Sequence, residues 1–232
     1  MNRDARARAS EPNAPHTSSA VDQSLAGLRL LALEMGALVI DQVACATRAL
    51  LERDGTLAQT VLAREPLVDD YDRRLDRDSL TYVALQKPVA NDLRLSRAIV
   101  RIGRELERAG DEARKIATFA LTLEQATGND PVLAVARHLR HMATLSVSML
   151  RSAVRAADEV DTALAGSVLA RDAELDAEFA AALRQVMSYV LEDHRFLRPT
   201  IDTIFALKGL ERIGDHATNV AEQVMYMVGG RD

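Results

Sequence analysis

The sequence has no tryptophan, a single cysteine, six prolines and an aromatic share of only 3%. Each shortage excludes something. With one cysteine no disulfide can form within the chain, and Cys45 suits a reducing compartment. It lies in DQVACATRAL, among apolar neighbours at helical spacing, and reads as a small buried residue. An aromatic-poor mixture rich in Ala, Leu, Arg, Glu and Asp suits helices packed on helices better than it suits a sheet. No uninterrupted apolar run reaches the ~18 residues of a membrane span. The opening stretch MNRDARARASEPNAPHTSSA holds no signal-peptide core, and residues 1–20 read as a disordered tail. A formal net charge of -5 leaves no general basic footprint for nucleic acid, although one basic face remains compatible with it. These absences predict a soluble, cytoplasmic protein with no nucleic-acid partner and no membrane insertion.

What is present is helical periodicity. The chain has 232 residues, 48% hydrophobic and 27% charged, enough to bury a proper core. From Val21 onward apolar residues recur at helical spacing, interrupted at Asp54-Gly55, at Pro88, in ATGNDP, near Asp158 and before Pro199. Six long helices result, in two sets of three: residues 21–127 and residues 128–232. The sets resemble copies. TVLAREPLVDD at 60–70 matches SVLARDAELDA at 167–177, an offset of 172 − 65 = 107. That offset also lays Met35 over Met142 and Asp54 over Asp161. LERAGD at 106–111 returns as LERIGD at 210–215, an offset of 211 − 107 = 104. The expected fold is all-α: two tandem three-helix bundles related by internal pseudo-twofold symmetry.

The repeated phrase places Glu107 and Asp111 four residues apart on one helix face, and Glu211 and Asp215 likewise. The second helix of each set carries Glu65 and Asp69, or Asp172 and Asp176, at the same spacing. With 34 acids in the chain, chance supplies about five such pairs, so one pair alone carries no meaning. Recurrence on the same two helices of both copies is another matter. Adjacent antiparallel helices would let each two pairs face one another, and a cation between them would reverse their repulsion. The competing reading is a shared solvated acidic face. Gly110 and Gly214 sit inside these helices at about 1 kcal/mol each relative to alanine. They admit either a close neighbouring helix or an ion.

Carboxylates without thiolates or imidazoles select hard or borderline cations such as Mg, Mn, Ca or Fe. Asn219 extends the second stripe as a further oxygen donor. Lys115 at the equivalent place in the first copy would compete with metal, so the second site is expected to be the better one. Pro66 forces a kink or a helix start beside Glu65. Asp72 and Asp76 are further ligands or solvated acids. His216 points about 100° away from Asp215, and reads as a surface residue. His138 and His141 are expected on a solvated face. The absence of a paired Glu-x-x-His motif argues against a ferritin-like oxygen-activating enzyme.

At these residues the chain resembles the PhoU family, through LQKPVANDLR with ELERAGDEARKIA in the first copy and RQVMSYVLEDHR with GLERIGDHATNVAEQVMYMV in the second. The resemblance spans roughly residues 22–230 and implies a pair of three-helix bundles. It implies a regulator of phosphate uptake that restrains a phosphate ABC transporter, with its ATPase subunit and a membrane sensor histidine kinase as partners. It also implies a homodimer and a multinuclear metal cluster of Fe, Mn, Mg or Zn. The metal role falls on Glu65, Asp69, Glu107, Asp111, Asp172, Asp176, Glu211 and Asp215. Lys115 departs from the family pattern of Asn or Asp, as does Pro66. A metal-independent helical scaffold is the alternative function. A carboxylate-bridged metal enzyme ranks lower, because no nucleophile–base arrangement is visible.

Overall fold

The structure, a computed structural model, describes residues 16–124, 131–192 and 197–229, with side chains over 21–123, 131–188 and 197–229. Every element among the described residues is an α-helix: α1 (His16–Glu52), α2 (Gly55–Gln86), α3 (Ala90–Glu124), α4 (Pro131–Ala134), α5 (Ala136–Glu159), α6 (Thr162–Leu169), α7 (Asp172–Glu192) and α8 (Leu197–Gly229). Helix α1 begins inside the stretch read as tail. Extending a formed helix into HTSSA needs no nucleation, so the helix outruns its apolar face. Residues 1–15 and the expected repeat junction at 127/128 lie outside the described residues.

The first half packs α1, α2 and α3 on one another. The second repeats this with two interruptions, so six expected helices appear as eight. Val135 separates α4 from α5, and Ala170–Arg171 separate α6 from α7. The second break is at the place of Arg64, one residue before Glu65, yet α2 runs unbroken through Pro66. No helix start occurs at Pro66. Pro66 stands exposed, where the carbonyl it leaves without a partner meets water at little cost. In the second copy the Arg171 carbonyl instead accepts from Glu174 N at 3.1 Å and Leu175 N at 3.3 Å, starting a new helix. The Arg171 guanidinium donates to Ser148 Oγ at 2.8 Å.

Other details confirm duplication at atomic scale. Arg53 and Val160 both adopt left-handed backbone, with φ of 54° and 52°. Asp54 N donates to Ala49 O and Asp161 N to Ala156 O, both at 3.0 Å, closing the preceding helices. Each Asp then caps the next helix by accepting from Leu57 N or from Ala163 N and Leu164 N.

The halves meet where α3 crosses α8 and α1 lies beside α5. Phe119 stacks on Phe205 with ring centroids 6.0 Å apart, Glu112 meets Arg212, and Arg101 donates to Gln223 at 3.4 Å. Residue numbers on α8 fall as those on α3 rise, the antiparallel crossing a twofold demands. The symmetry is approximate in chemistry. At the offset of 104, the places of Arg101 and Gln223 correspond to those of Phe205 and Phe119, so a polar contact at one end is an aromatic stack at the other.

One core runs through both halves, with Met35, Val39, Leu106, Met142, Met149 and Leu210 fully buried. Helix α1 contains a window apolar enough to cross a membrane by length and composition, which qualifies the expectation of no such run. Half of that window is buried within the protein, where α1 packs on α2, α3 and α5. Its apolar surface is core surface. Cys45 is half-buried against the same core. Burial, then the Asp41 carboxylate, pushes its thiol up, away from a reactive thiolate.

Candidate functional site

The repeated glycines exist for packing. A Cβ on Gly214 would stand 2.2 Å from Leu175 Cδ2, and one on Gly110 would stand 3.2 Å from Val68 Cγ1. Val68 and Leu175 are equivalent at the offset of 107, so the same close approach of the second-helix rod to the third recurs in both halves. No room is left there for an ion, and the close-packing reading of the two glycines prevails. Their indirect effect is to bring α2 against α3, and α7 against α8, with the acid-bearing faces alongside.

In the second half the four acids act on one another electrostatically. The Asp215 carboxyl is pushed above the usual carboxylate range by burial, then by Glu211, Asp172 and Asp176. Asp172 is pushed up by burial, then by Asp176 and Glu211. Glu211 is 9% exposed; one oxygen accepts from Lys208, while Oε2 is buried without any hydrogen-bond partner. Lys208 is also held over the Phe179 ring, 5.4 Å from its centroid. An orphaned, buried carboxylate oxygen among further acids is an arrangement that a cation satisfies.

In the first half an arginine engages two of the four equivalent positions, Glu65 and Asp111. Glu107 is pushed up by burial, then by Asp111 and Asp72, with Arg104 opposing and Asp69 adding to the rise. Arg114 lies 3.6 Å from Glu65 and 3.3 Å from Asp111, bridging α2 to α3. Arg104 holds Asp72 at 3.1 Å and approaches Asp76 at 3.8 Å, so these two are ion-paired acids. In α8, Thr218 stands at the place of Arg114 and turns its hydroxyl back to Asp215 O at 2.7 Å. The guanidinium that closes the first cluster has no counterpart in the second.

Two expected participants belong elsewhere. Lys115, expected to compete at the first cluster, donates to Glu112 at 2.9 Å, on the seam with α8, where Arg212 also reaches Glu112 at 3.3 Å. Asn219, expected as a further ligand, donates to Glu105 Oε2 at 2.8 Å farther along the same α3–α8 seam. The reason is the helix period: each four-residue step advances about 40°, so two steps from Glu211 turn Asn219 off the cluster and toward the other half. Nor is His216 on the surface. Its Nδ1 lies 2.9 Å from Glu105 Oε2, in a partly buried contact. His138 is likewise buried, not solvated, between Glu178 at 2.6 Å and Gln185 at 3.0 Å, while His141 approaches Glu174 at 3.8 Å.

The seam residues Glu105 and Glu112 carry no signal in the sequence pattern, since their partners lie on the opposing half. Burial and the hydrogen bond from His216 decide Glu105: that bond, then the one from Asn219, hold its carboxyl below the usual range against desolvation.

The donor set of the second cluster, oxygen only with one orphaned buried atom, fits a hard cation; that of the first, with Arg114 already on Glu65 and Asp111, does not fit as it stands. Among the described residues no three His, Cys, Asp or Glu side chains are already drawn into a cation-holding group. The second cluster converges electrostatically without being closed.

The model of the PhoU domain matches this chain twice, over residues 32–120 and 139–224. A phosphate-specific transport system accessory protein PhoU homolog of Pseudomonas putida is 39% identical, over 94% of this chain and 84% of its own length. A protein of the same description from Rhizobium meliloti (strain 1021) is 34% identical, over 93% of this chain and 90% of its own. The crystal structure of PhoU from Pseudomonas aeruginosa superposes with a TM-score of 0.85 at 36% identity, covering 90% of this chain and 99% of that one. Twofold matching of the family model, on the two halves whose caps and acid pairs repeat, shows that the chain belongs to the PhoU family.

Proposed function

We propose that the protein is an accessory regulator of phosphate-specific transport, non-catalytic, acting in the cytoplasm on the transporter's ATPase subunit and on a membrane sensor histidine kinase. The names and coverage of its relatives support the accessory role. A homodimer is part of the same reading.

The regulator works as a metal-loaded helical adaptor, with the second cluster as its centre. The observation that carries this is the buried, unpartnered Glu211 Oε2, on a carboxylate whose charge raises Asp172 and Asp215. These four carboxylates would hold Mn, Fe, Mg or Zn. A bound cation supplies neutralisation of their repulsion and a positive point for an acidic group on a partner. The chain's own residues do the rest: Lys208 restrains one Glu211 oxygen, leaving the other free, and the Leu175–Gly214 contact fixes the distance between α7 and α8. Elemental analysis of protein purified without chelator tests the metal, and co-purification with the ATPase subunit tests the role. Glu211→Gln with Asp215→Asn is expected to lose the metal and the regulation while keeping the fold. Metal-free protein that still regulates fully would overturn the adaptor mechanism.

The arginine-closed first cluster favours a second reading for that half, a metal-independent scaffold held by its own ion pairs. Retention of bound partners by the chelated protein would support it.

A further inference from the structure

A groove of about 560 Å3 runs along the seam where α1 and α5 lie side by side, straddling the two repeats. Its floor is apolar, made by Ala44 and Leu51 of α1 with Ala143 and Val147 of α5. Its rim is basic: Arg48, Arg140 and Arg151 line it and are all exposed. Among the described residues the guanidinium groups of Arg140 and Arg151 have no ion-pair or hydrogen-bond partner. Arg48 has only a 3.9 Å contact with Glu52, the single acid of the groove. In a chain of net charge -5 this unneutralised basic strip stands out.

Duplication supplies an internal control. The symmetry-equivalent stretch of the seam carries Leu33 and Ala44 at the places of Arg140 and Arg151, and Asp158 at the place of Leu51. The fold does not need arginines there. Arg140 and Arg151 belong to one end of the seam only, whereas Arg48 is repeated as Arg155, which pairs with Glu159 at 2.8 Å.

We propose that this groove receives an acidic amphipathic helix of a partner protein. Its walls repeat at i, i+3/i+4 and i+7, and from Arg140 to Arg151 the wall extends about 16 Å at 1.5 Å per residue. Charge spread over that length does not converge on one small anion; it matches glutamates or aspartates placed along the flanks of a helix. The floor between the arginines takes the apolar anchors of such a helix. The proposal is independent of the metal reading, since neither α1 nor α5 carries a member of either acidic cluster.

The test uses the full chain and two fluorescein-labelled synthetic helices with one shared leucine stripe, flanked by glutamates in one and lysines in the other. Fluorescence anisotropy is expected to show binding of the glutamate helix, weakened by salt. Arg140→Glu with Arg151→Glu is expected to weaken it at least about tenfold, and to improve binding of the lysine helix. Ala143→Trp, which fills the floor without touching charge, is expected to block both. Circular dichroism checks that the variants fold. Four results would overturn the proposal: no binding of the glutamate helix, equal affinity for the two helices, indifference to both variants, or displacement by inorganic phosphate at matched ionic strength. A wild-type dimer that Arg140→Glu with Arg151→Glu makes monomeric in sedimentation would assign the groove to a second copy instead and overturn it equally.

Discussion

Arg114 on α3 and Thr218 on α8 occupy equivalent places in the two halves, and they divide the roles of the two acidic clusters. The guanidinium of Arg114 reaches Glu65 and Asp111 across two helices, whereas the Thr218 hydroxyl bonds its own backbone at Asp215 O. The first cluster has an arginine spanning its two helices, and the second has only Lys208, which reaches Glu211 alone.

Exchanging these residues should therefore exchange the behaviour. Thr218→Arg is expected to lower metal affinity at the second cluster by about 10- to 100-fold, the scale of losing a supporting group of a metal site. Arg114→Thr is expected to create metal uptake in the first half. Metal content per chain after equilibrium dialysis reads both; unchanged content in both variants would count against the division.

The pH dependence of the metal-free protein follows from the raised carboxyls of Asp172 and Asp215. A carboxyl raised on folding holds a proton that the unfolded chain releases, so stability falls as pH climbs from the ordinary carboxylate range through the raised value. Asp215→Asn should flatten that decline in chelated protein. At neutral pH it should raise Tm on the order of 1 °C, from relief of about 0.2–0.5 kcal/mol per like-charged pair. With metal present the same variant should be less stable than wild type.

Glu105 gives the opposite sign. Its carboxyl is held down by His216 and then Asn219, so its contribution is present above the ordinary carboxylate range and is lost as pH falls through the depressed value. Glu105→Gln is expected to cost about 1–2 kcal/mol in urea unfolding at neutral pH, as a charge-assisted bond becomes a neutral one. The difference from wild type should shrink on acidification.

Glycine replacement separates packing from propensity. Gly110→Ala gains about 1 kcal/mol of helix propensity and loses a similar amount against Val68, so it should be nearly neutral. Gly214→Ala meets Leu175 at 2.2 Å in a filled core and should destabilise by roughly 1–2 kcal/mol net. Leu175→Val, which copies the first half, should recover part of that loss in thermal unfolding.

Pattern reading succeeded where a signal is local. The turn at Asp54-Gly55 and the all-helical character follow from backbone chemistry and apolar period, both written into neighbouring residues. It failed at Lys115 and Asn219, because a four-residue step drifts around the helix and only the opposing half decides which neighbour each then meets. It failed at His138 for the same reason: Glu178 and Gln185, on another helix, make its burial tolerable.

By itself, then, the order of residues determined a duplicated helical chain and the two helices of each half that carry paired acids, since periodicity and repetition need no third dimension. The tertiary structure decided which of those acids meet an arginine and which is left with a buried, unsatisfied oxygen. That choice depends on side chains contributed across packed helices, and a charge is neutralised by whatever lies nearest in space, not in sequence.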